Sequence, residues 1–181
     1  IVTTISSPLY KGVDLLLKTA KLMKDNLGLE FEWLCFGNVE VDVAERITGI
    51  KSSDVNVFFN SVASAKVIKH ALLNATCYVH TSYIDNSPNS LCEAQMLGVT
   101  CLSTNVGGIP SLIENESTGF LFPANDPYQA AYLIEYVFNN KDLNLKIGRQ
   151  AYEVAIMRHN KEQIVDSLLS IYEKLAKTNC D

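Results

Sequence analysis

Short runs of β-branched and aromatic residues alternate along this chain with longer stretches whose apolar positions recur at helical spacing. Residues 1–5, 31–36, 55–59, 76–80, 100–103 and 119–122 read as strands. Between them, residues 13–27 place Val13, Leu16, Leu17, Ala20, Met23 and Leu27 on one helical face, with Gly28 as the C-terminal cap. Further helices are predicted over 40–48, 64–73 and 88–97, the last ended by Gly98, with a short one over 110–113. The remainder is helical, with one face of Ala130, Leu133, Ile134, Val137 and Phe138. A second face holds Ile164, Val165, Leu168, Leu169, Tyr172 and Leu175. Strands too apolar to face water on either side, each followed by a helix, point to a doubly wound parallel α/β sheet of about six strands. Helices cover both faces and a helical tail follows residue 140 or so.

Size and charge narrow the function classes. A chain of 181 residues suffices for one domain with a substantial core. Net charge is −5, with both signs mixed along the chain and no basic stripe, so nucleic acid is not an expected partner. The five cysteines, Cys35, Cys77, Cys92, Cys101 and Cys180, are scattered, without a Cys-x-x-Cys pair. They read as reduced thiols, not as a disulfide framework or zinc site, which points to a cytoplasmic protein. No apolar run is long enough for a transmembrane segment, and no secretory signal stands at the start. The chain opens inside a strand, Ile1-Val2-Thr3-Thr4-Ile5, without an initiator Met. It reads as an excised segment, the C-terminal part of a larger protein.

Ligands of doubly wound sheets bind beyond the C-terminal strand ends, which directs attention to loops 6–12, 37–39, 60–63, 81–90 and 104–110. In the fourth of these, Asn86-Ser87-Pro88 is a helix-start signal. Pro88 suits the first helical position and Asn86 or Ser87 can cap. The amides of Asn89, Ser90 and Leu91 are then expected to face the loop mouth unpaired, as an anion site. Asp85 precedes the helix start and Glu93 lies inside it. Two carboxylates flanking an anion site can accept from hydroxyls at both ends of one ligand, as a nucleotide-sugar requires.

The segment resembles the C-terminal domain of family 4 retaining glycosyltransferases, which have the GT-B fold. Their mark is an acid, seven residues, then Glu, within S-x-x-E-x-x-P-N-S-L-L-E-A-M-A-x-G. This chain offers Ser82, Asp85, Pro88-Asn89-Ser90-Leu91, Glu93-Ala94, Met96 and Gly98. Tyr10-Lys11-Gly12, Val106-Gly107-Gly108-Ile109-Pro110, Thr118-Gly119-Phe120-Leu121 and Asp126-Pro127 are similar to further family motifs, in the same order, so the resemblance covers nearly the whole chain. It implies a Rossmann-like domain that binds a nucleoside diphosphate-sugar as donor substrate, without a cofactor or metal. It implies that Glu93 binds ribose hydroxyls, that Asp85 lies beside the donor sugar, that Ser90 and Leu91 hold the diphosphate through their amides, and that Lys11 neutralises its charge. Asn60, Ser61 and Val62 lie where the family holds the nucleobase. Asn86, Asn89, Gly37 and Gly108, with Ser6, complete the donor-binding set. The acceptor, a glycan or lipid-linked molecule, is then expected to meet a separate N-terminal domain. That domain could also hold the enzyme at the inner face of the membrane.

Four positions depart from the family pattern. Ser6 stands where an Arg is usual, Asp85 where Glu is usual, Ser111 where Glu follows G-G-I-P, and Asn60 where a glycine usually follows the third strand. Ser6 and Asp85 support a second reading, a non-catalytic nucleotide-sugar-binding or degenerate interaction domain. A dinucleotide oxidoreductase is disfavoured because no Gly-x-Gly-x-x-Gly follows the first strand. His80 ends the fourth strand near the proposed site; packing at the strand end is the expected role, ahead of a general base. No histidine, cysteine or acidic cluster has metal-ligand spacing.

Overall fold

The computed structural model describes residues 1–6 and 10–178. Ser7, part of the loop after the first strand, and Cys180 lie outside the described residues.

Six parallel strands form one sheet: β1 (Val2–Thr4), β2 (Trp33–Phe36), β3 (Val57–Asn60), β4 (Tyr78–His80), β5 (Cys101–Thr104) and β6 (Phe120–Phe122). Their order is β3-β2-β1-β4-β5-β6, with Val2 opposite Leu34 on one side and Tyr78 on the other. The doubly wound reading of the sequence therefore holds. The chain winds outward in one direction from β1 and in the other from β4. The strand order reverses between β1 and β4, the place where ligands of such sheets bind, in the crevice beyond the C-terminal strand ends.

The helices are α1 (Val13–Asp25), α2 (Val41–Thr48), α3 (Ala65–Leu73), α4 (Asn89–Met96), α5 (Pro127–Asn139), α6 (Lys141–Arg158) and α7 (Lys161–Thr178). Short 3-10 turns at Ser52–Val55 and Ile109–Ser111 complete the elements. One core layer joins α1 and α5 to the sheet through Leu16, Leu17, Met23, Trp33, Val79, Leu102 and Ile134. The other lies under α3 and α4, around Val2, Phe36, Leu72, Tyr78, Leu91 and Ile113.

The predicted apolar face of α1 is buried except for Leu27, which lies past the helix end and is exposed. Leu15, off that face, is fully buried as well, because α1 is covered by the sheet on one side and by α2 and α5 on others. Polar groups inside the core are paired. Trp33 Nε1 donates to Thr3 Oγ1 at 2.9 Å, and Thr3 Oγ1 donates to the Val79 carbonyl at 2.6 Å. That chain ties β2, β1 and β4 together beneath the crevice, because an unpaired polar atom there would be strongly unfavourable. The apolar side chains predicted on α7 are all exposed.

Candidate functional site

Lys11 and Asp85 meet in the crevice. The backbone brings them there by close approach of the two loops. Gly12, which precedes α1, has φ +68°, and a Cβ at this position would lie 2.0 Å from the Thr81 carbonyl oxygen. Only glycine combines that backbone conformation with that proximity. Thr81 Oγ1 donates to the Lys11 carbonyl at 2.8 Å, and the Tyr83 amide donates to the Tyr10 carbonyl at 2.7 Å. The two loops are thus stitched on both sides of Lys11.

The Lys11 ammonium donates to Asp85 Oδ2 at 2.5 Å, and both side chains are mostly buried. The same carboxylate oxygen accepts from His80 Nε2 at 3.0 Å and from Ser82 Oγ at 3.5 Å. Its other oxygen accepts from the Asn86 amide at 2.9 Å. Partial burial raises the Asp85 carboxyl, but the Lys11 hydrogen bond and the neighbouring positive charge more than reverse this, holding it below its ordinary value. Burial drives His80 down to about 4; Asp85 pulls it upward and Lys11 adds to the fall. At neutral pH the pair is therefore a carboxylate and a neutral imidazole. A carboxylate only accepts, so the imidazole hydrogen sits on Nε2.

Tyr78 extends this network to the helix tip. Its hydroxyl, buried and raised to about 12 by desolvation, donates to Ser90 Oγ at 2.8 Å. It lies 3.0 Å from Thr4 Oγ1 and 3.5 Å from His80 Nδ1. A continuous polar chain therefore runs Lys11–Asp85–His80–Tyr78–Ser90. Sequence reasoning placed His80 in strand packing and left Tyr78 out. Their positions two residues apart on the same strand face were legible, but the partners that link them come from β1, the β4 loop and α4.

The start of α4 differs from expectation in two respects. Pro88 is the N-cap and Asn89 the first helical residue, and no side chain caps the helix, so neither Asn86 nor Ser87 does so. The reason lies in Asn86, whose amide is held by Asp85 and whose carbonyl and side chain pack on Gly108. The Leu91 amide is not free either: it donates to the Pro88 carbonyl at 3.1 Å, because the first turn is tightened. Among the described residues the amides of Asn89 and Ser90 have no such partner, and they face the crevice end of the helix. Leu91 itself is fully buried and serves the core.

Gly107 and Gly108 approach protein backbone closely. A Cβ on Gly107 would lie 1.9 Å from the Asp85 carbonyl oxygen, and one on Gly108 would lie 2.2 Å from the Asn86 carbonyl oxygen. In this structure they brace the loop that carries Asp85. Gly37 does similar work at the ends of β1 and β2: a Cβ there would lie 1.8 Å from the Ile5 carbonyl oxygen. The Gly37 amide donates to the Asn60 carbonyl at 3.1 Å, joining the β2 and β3 ends. Ser6 is exposed at the end of β1.

Glu93 is not part of the bonded network. It is exposed on α4 and lines a groove of about 570 Å³ between α3 and α4, with Ala63, Ala65, Ile68 and Met96. Val62, 77% exposed, precedes Ala63 in the loop that enters this groove. α4 is common to both features: Ser90 joins the polar chain, and Glu93 and Met96 line the groove. A larger cavity of about 1160 Å³ runs along the sheet from Ile1, Glu32 and Thr76 at the N-terminal strand ends to Phe36 and Asn60 at the C-terminal ends of β2 and β3, so Asn60 lines it. Among the described residues, no three His, Cys, Asp or Glu side chains are grouped to hold a metal ion. Cys35, Cys77, Cys92 and Cys101 are buried, and burial pushes each thiol up, which leaves them inert.

A cation paired with a carboxylate thus stands beside two open helix-tip amides at the switch point of a doubly wound sheet. The model of the family described as Glycosyl transferases group 1 matches residues 6–154, and the chain belongs to that family. It is 33% identical over 82 residues to the N-acetyl-alpha-D-glucosaminyl L-malate synthase of Bacillus anthracis, covering 45% of this chain and 22% of that protein. It is 25% identical over 173 residues to the capsular polysaccharide biosynthesis glycosyltransferase CapM of Staphylococcus aureus, covering 92% of this chain and 44% of that protein. The chain thus spans less than half the length of either relative. Among solved structures, HepE of Anabaena in complex with UDP-glucose superposes with a TM-score of 0.75 at 19% identity, over 93% of this chain and 48% of that one. At that identity the likeness speaks for the fold. No helix among the described residues is long and apolar enough to cross a membrane.

Proposed function

We propose that this chain is the donor-binding half of a retaining glycosyltransferase of the family 4 type with the two-domain GT-B architecture. It takes a hexose-type sugar from a nucleoside diphosphate to an acceptor hydroxyl, in polysaccharide or glycoconjugate synthesis. Lys11 and the amides of Asn89 and Ser90 receive the diphosphate and offset the charge that develops as it leaves. Asp85 faces the transferred sugar. Glu93, one helical turn beyond Asn89, accepts from the ribose hydroxyls, and the base lies along Asn60, Val62 and Ala63. A separate N-terminal domain supplies the acceptor site and places the enzyme at the inner face of the membrane. The chemistry uses the donor's own leaving group, without a cofactor or metal.

The observation that carries this reading is the convergence of Lys11 and Asp85 beside two open amides, with Glu93 in an adjoining groove. UDP, ADP and GDP, titrated against thermal unfolding of the wild type and Glu93→Ala, test it by mass action. A nucleotide-dependent rise in melting temperature that shrinks in the variant supports the ribose assignment. No shift with any nucleotide refutes the donor site.

Ser6 and the closed Lys11–Asp85 pair favour one alternative, a nucleotide-sugar-binding domain without transferase activity. Nucleotide binding by the whole protein, with no transfer to any acceptor, would select it.

A further inference from the structure

The Lys11–Asp85 pair presents a problem for a diphosphate. The lysine that would neutralise the phosphates already serves a carboxylate, in a crevice where both side chains are mostly buried. If Lys11 turned to an incoming phosphate, Asp85 would be left as a half-buried anion beside a second anion. Such an uncompensated charge is strongly unfavourable. The structure contains the means to relieve it.

We propose that His80 is a positioning residue that retains Asp85 when Lys11 passes to the diphosphate, and that it takes up a proton from solvent as it does so. This inference rests on the donor-site reading above. Its geometric basis is the bonding on both ring nitrogens. Nε2 donates to Asp85 Oδ2 at 3.0 Å, the same oxygen that Lys11 holds. Nδ1 faces the Tyr78 hydroxyl at 3.5 Å. Tyr78 directs its one hydrogen to Ser90 Oγ, so its oxygen presents a lone pair to Nδ1. A hydrogen on Nδ1 therefore finds an acceptor in place. Protonation would make the ring a cation bonded to Asp85 on one side and to Tyr78 on the other, replacing the charge that Lys11 withdrew.

The charged groups acting on His80 are Asp85, from the loop after its own strand, and Lys11, from the loop after β1. The hydroxyl facing the ring is that of Tyr78 on β4, which in turn contacts Thr4 on β1 and Ser90 on α4. Lys11 opposes protonation of His80 and Asp85 favours it. Departure of Lys11 and arrival of phosphate both shift the balance toward the imidazolium. Tyr78 carries the same event to the helix tip, since its oxygen contacts the ring and its hydrogen holds Ser90 beside the amides that meet the phosphate.

Isothermal titration of UDP into the protein near pH 5.5, in two buffers of different ionisation heat, counts the protons exchanged on binding. Wild type, His80→Gln and His80→Leu are compared. Gln keeps an N–H for Asp85 but cannot become charged; Leu removes both properties. The expected result is greater proton uptake by the wild type than by His80→Gln. His80→Leu should bind UDP on the order of tenfold more weakly, with most of that affinity recovered in His80→Gln. Equal proton counts in wild type and His80→Gln, or equal affinity of the Leu and Gln variants with the wild type, would overturn the proposal while leaving the donor site intact. Absence of UDP binding by the wild type itself overturns the donor site and this proposal together. Should the Leu variant fail to fold, the proton count of His80→Gln alone decides.

Discussion

The two parts of the candidate site, the polar chain and the groove, are built differently. In the first, Lys11, Asp85, His80, Tyr78 and Ser90 form a closed polar chain, mostly buried and tied through Gly12 and Thr81 to the backbone. In the second, Glu93, Val62, Ala63 and Met96 edge an open groove, and Glu93 has no hydrogen bond among the described residues. The first side is ordered before any ligand arrives, so little ordering entropy remains to be lost there on binding. The second must gain its order from the ligand. In the proposed donor complex, charge neutralisation falls to the rigid side and recognition of ribose and base to the adaptable one.

Substitutions on the rigid side should therefore alter folding as well as binding, and those in the groove should alter binding alone. The largest effect is expected for Gly12→Val, which meets both a left-handed backbone and the Thr81 carbonyl. A loss of about 4 kcal/mol or outright failure to fold should follow, read by urea denaturation. A stable Gly12→Val protein would mean the two loops are not rigidly joined.

Acid should separate the two sides next. The folded value of His80, about 4, lies below its ordinary 6.5. As pH falls the unfolded chain therefore binds the extra proton first, and stability drops between pH 6.5 and 4, by about 3 kcal/mol from this group. Asp85, held low in the fold, adds a loss of the same sign in the more acidic range where its carboxylate protonates. Urea titrations at pH 7 and pH 4.5 should show a shallower acid loss in His80→Gln than in the wild type. Parallel curves would remove His80 from the rigid network.

Lys11→Met should weaken UDP binding on the order of a hundredfold, since a charge-assisted contact to phosphate is lost in a partly desolvated site. Glu93→Ala should weaken it about tenfold while leaving urea stability within about 0.5 kcal/mol, because the side chain is exposed and packs on little. A large stability change in Glu93→Ala would erase the distinction between the two sides.

Legibility in the sequence followed the same division. Elements defined by local pattern were readable: the six strands, the α1 face, and Gly98 closing α4. The Asp85-to-Glu93 span with Pro88 located the helix tip. What stayed hidden depended on contacts across many residues. His80 and Tyr78 are ordinary strand residues until Asp85, Ser90 and Thr4 surround them. Gly107 and Gly108 read as parts of a motif, and the packing of Asp85 and Asn86 against them was not legible. The Leu91 amide reads as free until the first turn of α4 tightens onto Pro88. Leu15 is polar-face by periodicity and buried only because α1 is covered on several sides.

A crystal structure of the protein soaked with UDP tests the placement of the donor most directly. The account predicts phosphate oxygens within hydrogen-bond reach of Lys11 Nζ and of the Asn89 and Ser90 amides, with the ribose hydroxyls on Glu93. Nucleotide lodged instead beside Glu32 and Thr76 at the N-terminal strand ends, or bound with Lys11 still closed on Asp85 and Glu93 turned to solvent, would contradict it.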